Sequence, residues 1–149
     1  TEYTPYAAYG RSKTANILFA VEFDRRHKAR GVRATAVHPG AIETELSRHM
    51  GKEALMQLFN RIRADREKAG LPPFQFKSIP QGAATSVWAG VVADADAVGG
   101  RYCEDCRVGA LNDGRRPDVL DGVRPYAIDP ERAKALWAKS EQLVGERFG

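Results

Sequence analysis

Two short strand-like runs, 32–37 and 99–104, stand far apart in a chain whose remaining pattern is largely helical, and this restricts the fold more than any other feature. Val32-Arg33-Ala34-Thr35-Ala36-Val37 is bounded by Gly31 and by Pro39-Gly40, and Gly99-Gly100 opens the second run. Strands separated by long helical crossovers lie parallel, because tight turns join only antiparallel neighbours. Parallel strands are covered on both faces, so a sheet of two of them is no independent core. One strand edge and several helix faces would stay bare. The expected fold class is therefore α/β, with further strands supplied by a missing part of the same fold, whether covalently attached or separate.

Between the strands, apolar spacing predicts a helix over 9–30 in which Ala15, Leu18, Phe19, Ala20, Val21 and Phe23 are dense enough for burial on more than one side. Over 41–79, Leu46, Met50, Leu55, Leu58, Phe59 and Ile62 recur at helical spacing amid charge, predicting one or two amphipathic helices that lead into a Pro72-Pro73 loop. A small-residue helix is expected over 80–93, begun by Pro80. Residues 107–128, rich in Gly, Pro and Asp, read as irregular. Asp129-Pro130-Glu131 opens a last helix, with Asp129 as cap and Pro130 in the first turn.

Charge excludes one class of function. The net charge is +4, but Arg and Lys are scattered among acids instead of gathered on a face, so no nucleic-acid partner is expected. No apolar run is long enough to span a bilayer and no leader pattern is seen; the expected setting is cytoplasmic. Cys103 and Cys106 form a Cys-x-x-Cys, yet a structural metal site needs about four ligands, and His27, His38 and His49 lie far away in sequence. The pair ends a strand-like run instead of a strand-to-helix turn, so ordinary reduced thiols are expected and no metal.

The chemistry is suggested by Tyr9-Gly10-Arg11-Ser12-Lys13. On a helix a spacing of four stacks two side chains on one face, about 6 Å apart along the axis. A phenol titrates near pH ~10 in isolation, and an adjacent ammonium stabilises its phenolate, which makes an acid–base group usable near neutrality. Alone the pattern is weak, but it is followed by a strand and then by Val37-His38-Pro39-Gly40-Ala41-Ile42-Glu43-Thr44.

In this combination of Tyr9, Ser12, Lys13, Asn16, Pro39, Gly40, Ile42 and Thr44 the chain resembles the short-chain dehydrogenase/reductase family over nearly its whole length. Gly99-Gly100-Arg101-Tyr102-Cys103-Glu104-Asp105-Cys106 and Leu136-Trp137-Ala138-Lys139-Ser140-Glu141 narrow the resemblance to its retinol-dehydrogenase-like branch, that of the WW-domain-containing oxidoreductases. The family's Gly-rich turn, its Asn-Asn-Ala-Gly stretch and its catalytic serine lie upstream of the tyrosine, where only eight residues stand here. The chain therefore reads as the carboxyl-terminal half of a Rossmann-type doubly wound parallel sheet, its last two strands with flanking helices, and 1–149 as part of a single dinucleotide-binding domain with a helical substrate lid at about 41–79.

The resemblance implies a nicotinamide cofactor, NAD or NADP, and a small-molecule alcohol or carbonyl substrate. It makes Tyr9 the general acid–base group and gives Lys13 the tyrosine and the cofactor ribose. Pro39 and Gly40 shape a turn at the carboxyl end of a strand, where ligands of open α/β sheets bind. Ile42 offers backbone groups, and Thr44 a hydroxyl, to the carboxamide or pyrophosphate. Leu46, Met50, Leu55, Phe59, Phe74 and Phe76 either line a greasy cleft for a lipophilic substrate or simply pack the lid. Dimers built from long helices are common in the family, which leaves a homo-oligomer open. A non-catalytic scaffold that keeps the fold for interaction is the alternative; retention of Tyr9 and Lys13 argues against it.

Overall fold

The computed structural model describes residues 3–42, 52–115 and 121–148. Helix α1 spans Pro5–His27 and begins one turn before Tyr9. Thr4 caps it, its hydroxyl accepting from the Ala7 N–H at 3.2 Å, and Pro5 fits the first turn, where no N–H is needed. A 3₁₀ turn at Lys28–Arg30 and a left-handed Gly31 then reverse the chain.

Strand β1 is Ala36–His38, shorter than the run 32–37 and displaced towards the proline. The Ala34 N–H donates to the Asp24 carboxylate at 3.1 Å, beside Arg33 Nε at 2.8 Å, while the Ala34 carbonyl still accepts from the Gly100 N–H at 2.7 Å, so the first half of the run is only partly paired. β1 pairs in parallel with β2, Tyr102–Glu104, in the register Ala36 to Tyr102 and His38 to Glu104. The parallel pair agrees with the expectation drawn from the helical crossover.

A third strand, β3 at Arg107–Val108, pairs antiparallel with β2, so the sheet is mixed, three-stranded and ordered β1-β2-β3. The pattern-based expectation of two strands missed it for a physical reason. Asp105 and Cys106 form the two-residue turn with φ of 48° and 53°, a conformation usually announced by Asn-Gly or Asp-Gly. Here it is held by tertiary contacts: the Asp105 carboxylate meets the Lys77 ammonium, and the Cys106 N–H donates to Thr85 Oγ1 at 3.2 Å. Cys103 points into a small core with Ala89 and Val98 while Cys106 is exposed, and no metal-ligand cluster occurs among the described residues.

After α2 (Lys52–Lys68), α3 (Ile79–Val87) starts in a reciprocal Ser78–Gln81 capping box and passes into a π-helical turn at Trp88–Val92. A short α4 at Ala95–Val98, capped by Asp94, precedes β2. Asp129 caps α5 (Pro130–Val144) as expected, accepting from the Arg132 N–H at 2.9 Å. No helix among the described residues is long and apolar enough to cross a membrane.

The most extensive helix contact joins α1 and α5. Trp137 of α5 lies against Phe19 and Phe23, with ring centroids at 5.5 and 6.4 Å, and the Arg26 guanidinium lies 4.6 Å from its ring. Glu22, wholly buried, accepts from Arg25 and Arg26. Its Arg25 hydrogen bond, aided by Arg26, holds that carboxyl below its ordinary value against the opposing effect of burial. For Asp24 burial pushes the carboxyl up, but the Arg33 and Ala34 hydrogen bonds win and the net shift is downward. Depressed carboxyls stabilise the fold fully above their unfolded values, and that contribution is lost as the pH falls through the folded ones. Thermal scans of the full-length protein should therefore show an acid-side loss of stability whose slope is flattened by Glu22→Gln; an unchanged slope would discount the buried pairings.

Candidate active site

Helix α1 presents Tyr9 and Lys13 on successive turns, and the i, i+4 spacing brings the Lys13 ammonium to 5.2 Å from the centre of the Tyr9 ring. Both side chains are exposed, Tyr9 by 56%. Unlike Arg25, Arg33 and Lys77, Lys13 has no carboxylate partner among the described residues. Ser12 is tied locally, its hydroxyl donating to the Tyr9 carbonyl at 2.7 Å.

Tyr9 and Lys13 line one open cavity of about 770 Å³ together with the exit of β1. It is lined along α1 by Asn16, Ile17, Phe19, Ala20 and Phe23 as well, and through β1 from Ala34 to Gly40. Four of the six residues singled out in the sequence thus converge on one space: Tyr9, Lys13, Pro39 and Gly40. Asn16, which the sequence marks only as part of the helix pattern, faces the same space.

Ile42 does not line the cavity. Its side chain sits on Gly82 at the start of α3, where an added Cβ would stand 1.9 Å from Ile42 Cδ1. It also faces Lys77 across an isolated parallel bridge whose bond runs from the Lys77 N–H to the Ala41 carbonyl, leaving the Ile42 backbone groups out of that bond. Thr44 lies outside the described residues.

Sequence reasoning did not single out Tyr102, which lines the cavity from β2. Burial pushes its phenol up to about 12, with Glu104, Asp121 and Asp105 adding to the effect, so it stays a neutral hydroxyl. The exposed His38 ring stacks on it at a centroid distance of 6.2 Å. Next to them, burial raises the Glu104 carboxyl despite the Gly122 N–H that it accepts at 2.8 Å. The parallel register, which sets Tyr102 opposite Ala36, is the signal that places it there, and it becomes visible only once the two strands are paired.

Of the candidate lid residues, Leu46, Met50 and the Leu55 side chain lie outside what is described. Phe59, Phe74 and Phe76 pack on one another, with centroids at 4.9 to 5.5 Å, as a partly exposed aromatic cluster.

The chain is 35% identical over 144 residues to a short-chain dehydrogenase/reductase of Penicillium roqueforti, an alignment covering 96% of this chain and 39% of that protein. It is 42% identical over 137 residues to a probable oxidoreductase of Streptomyces lividans, covering 91% of this chain and 44% of the relative. A human WW domain-containing oxidoreductase is 36% identical over 148 residues, which is 99% of this chain and 30% of that protein. The chain thus spans less than half the length of these curated relatives. No family model matches it, and no solved structure does.

Proposed function

We propose that this chain, a relative of the short-chain dehydrogenase/reductases over nearly its whole length, carries the proton-transfer half of an NAD(P)-dependent oxidoreductase acting on alcohols or carbonyls. The observation that carries this is the convergence of an exposed phenol, a neighbouring ammonium and the Pro39–Gly40 corner on one cavity at the carboxyl end of a parallel strand.

The residues present fit a nicotinamide cofactor. Lys13 offers the cavity an ammonium that no carboxylate among the described residues claims. Bound there, the cofactor would accept or give the hydride. Tyr9 takes the proton of a substrate hydroxyl in oxidation and returns it to the carbonyl oxygen in reduction. Lys13 brings positive charge beside the Tyr9 ring and donates to ribose hydroxyls. By the family resemblance alone, the Ile42 backbone would hold the carboxamide and the Thr44 hydroxyl the carboxamide or pyrophosphate. The apolar wall of Ile17, Ala20 and Val37 favours a lipophilic substrate over a charged one. The Gly-rich turn and the serine come from the remainder of the fold, which also pairs with the outer edge of β1.

The test uses the full-length protein, a panel of primary and secondary alcohols, and both NAD and NADP, followed by the absorbance of the reduced nicotinamide. Turnover is expected with one of them; absence of both cofactor binding and turnover across the panel would favour the scaffold alternative. Lys13→Met removes a charge-assisted donor worth about 1.5–3 kcal/mol, so kcat/KM should fall roughly 10- to 100-fold. An unaltered kcat/KM would detach Lys13 from the site.

A further inference from the structure

We propose that Lys77 is a positioning residue whose side chain straps the Pro39–Gly40 turn in place, anchored at its tip by Asp105; the cofactor part of this inference rests on the function proposed above. Gly40 lies at a φ of +87°, in the region that glycine enters without cost. The space a side chain would need there is already filled. An added Cβ would meet Lys77 Cδ, Cε and Nζ at 2.7, 2.8 and 2.9 Å. The lysine stem thus crosses the turn over the bare Cα of Gly40, and it is the left-handed φ, more than the movable lysine tip, that makes a side chain costly there.

Both ends of Lys77 are fixed. Its N–H donates to the Ala41 carbonyl at 2.9 Å, and the next residue, Ser78, caps α3. Its ammonium reaches Asp105 in the β2–β3 turn, and that hydrogen bond is the main reason the Asp105 carboxyl is held below its ordinary value. Asp105 in turn occupies a left-handed backbone position that a non-glycine residue adopts only when neighbours hold it. On the other side of the β1 exit, Ile42 is seated on Gly82. One lysine thus links the exit of β1, the start of α3 and the hairpin at the sheet edge, beside the corner that faces Tyr9 and Lys13. An exposed ion pair contributes little to global stability. The expected consequence is local: the backbone of 39–42 is held in one arrangement, in the geometry that cofactor binding would need.

The test compares the full-length protein with Lys77→Met, Asp105→Asn, the double variant and Lys77→Arg. Two readouts are used: titration with NADH and NADPH, with kcat and KM, and hydrogen–deuterium exchange of the peptide covering 36–42. Each single variant should raise the cofactor Kd and KM about tenfold. kcat should change far less, and the double variant should be no weaker than either single one. Lys77→Arg should restore most of the affinity, and exchange at 36–42 should quicken in Lys77→Met. Parent-like affinity and exchange in Lys77→Met overturn the strap and leave the dehydrogenase assignment intact. Quickened exchange in a protein that binds neither nucleotide supports the strap and removes the dehydrogenase assignment. Equal losses in kcat and in thermal stability, unrepaired by arginine, would reduce Lys77 to a general structural residue and overturn the proposal.

Discussion

Tyr9→Phe in the full-length protein is expected to slow hydride transfer by about 10²–10⁴-fold, the usual contribution of a positioned general acid–base group. The substitution deletes one oxygen and keeps the ring that Lys13 overlies at 5.2 Å. Because Tyr9 is 56% exposed, the change opens no internal cavity, and stability should stay within about 0.5 kcal/mol of the parent. Nicotinamide affinity should also persist, since Lys13 and the Pro39–Gly40 corner are untouched. Steady-state kinetics, a nucleotide titration and a melting curve separate these outcomes. Turnover within tenfold of the parent would remove Tyr9 from the proton-transfer role, whatever its place in the cavity.

What could be read from the chain follows the range of the physics involved. The convergence of Tyr9, Lys13, Pro39 and Gly40 was legible because helix periodicity and the direction of a parallel strand are local rules with fixed geometry. The start of α5 was legible for the same reason, since Asp129-Pro130 is a local capping signal. Thr4-Pro5 is the same kind of signal, and it places the start of α1 one turn ahead of the position inferred from apolar spacing. Other features depend on distant partners. The Ala34 N–H goes to Asp24 instead of a strand partner, and the β2–β3 turn, which lacks glycine, is held by Lys77 and Thr85. Tyr102 joins the cavity only through strand register, and the Lys77 stem lies over Gly40, which no spacing rule reveals. Local patterns therefore picked out four residues that line one cavity, while the parts that hold them came from pairings across the chain.

Trp137→Ala should destabilise the fold severely, costing about 3–5 kcal/mol in a denaturant titration of the full-length protein. The side chain is 6% exposed and touches Phe19 and Phe23 of α1, and Arg26 caps its ring. Truncation would leave a void at the largest helix contact of the fold and strip the Arg26 guanidinium of its aromatic partner. The loss is a large share of the ~5–15 kcal/mol by which a typical domain is stable. Trp137→Phe separates packing from hydrogen bonding. It keeps an aromatic ring and removes the Nε1–H that donates to Glu141 at 2.8 Å, while Glu141 still accepts from the Phe148 N–H at 2.9 Å. That variant should cost nearer ~1 kcal/mol. Tyr9 and Lys13 sit near the amino-terminal end of α1 and Phe19 and Phe23 towards its other end, so the folded fraction of either variant should keep its kcat. If the alanine and phenylalanine variants lose the same stability, the packing of α5 on α1 is not what fixes α1 in place. If kcat falls along with stability, the two ends of α1 are coupled, and the helix acts as more than a rigid mount for the phenol.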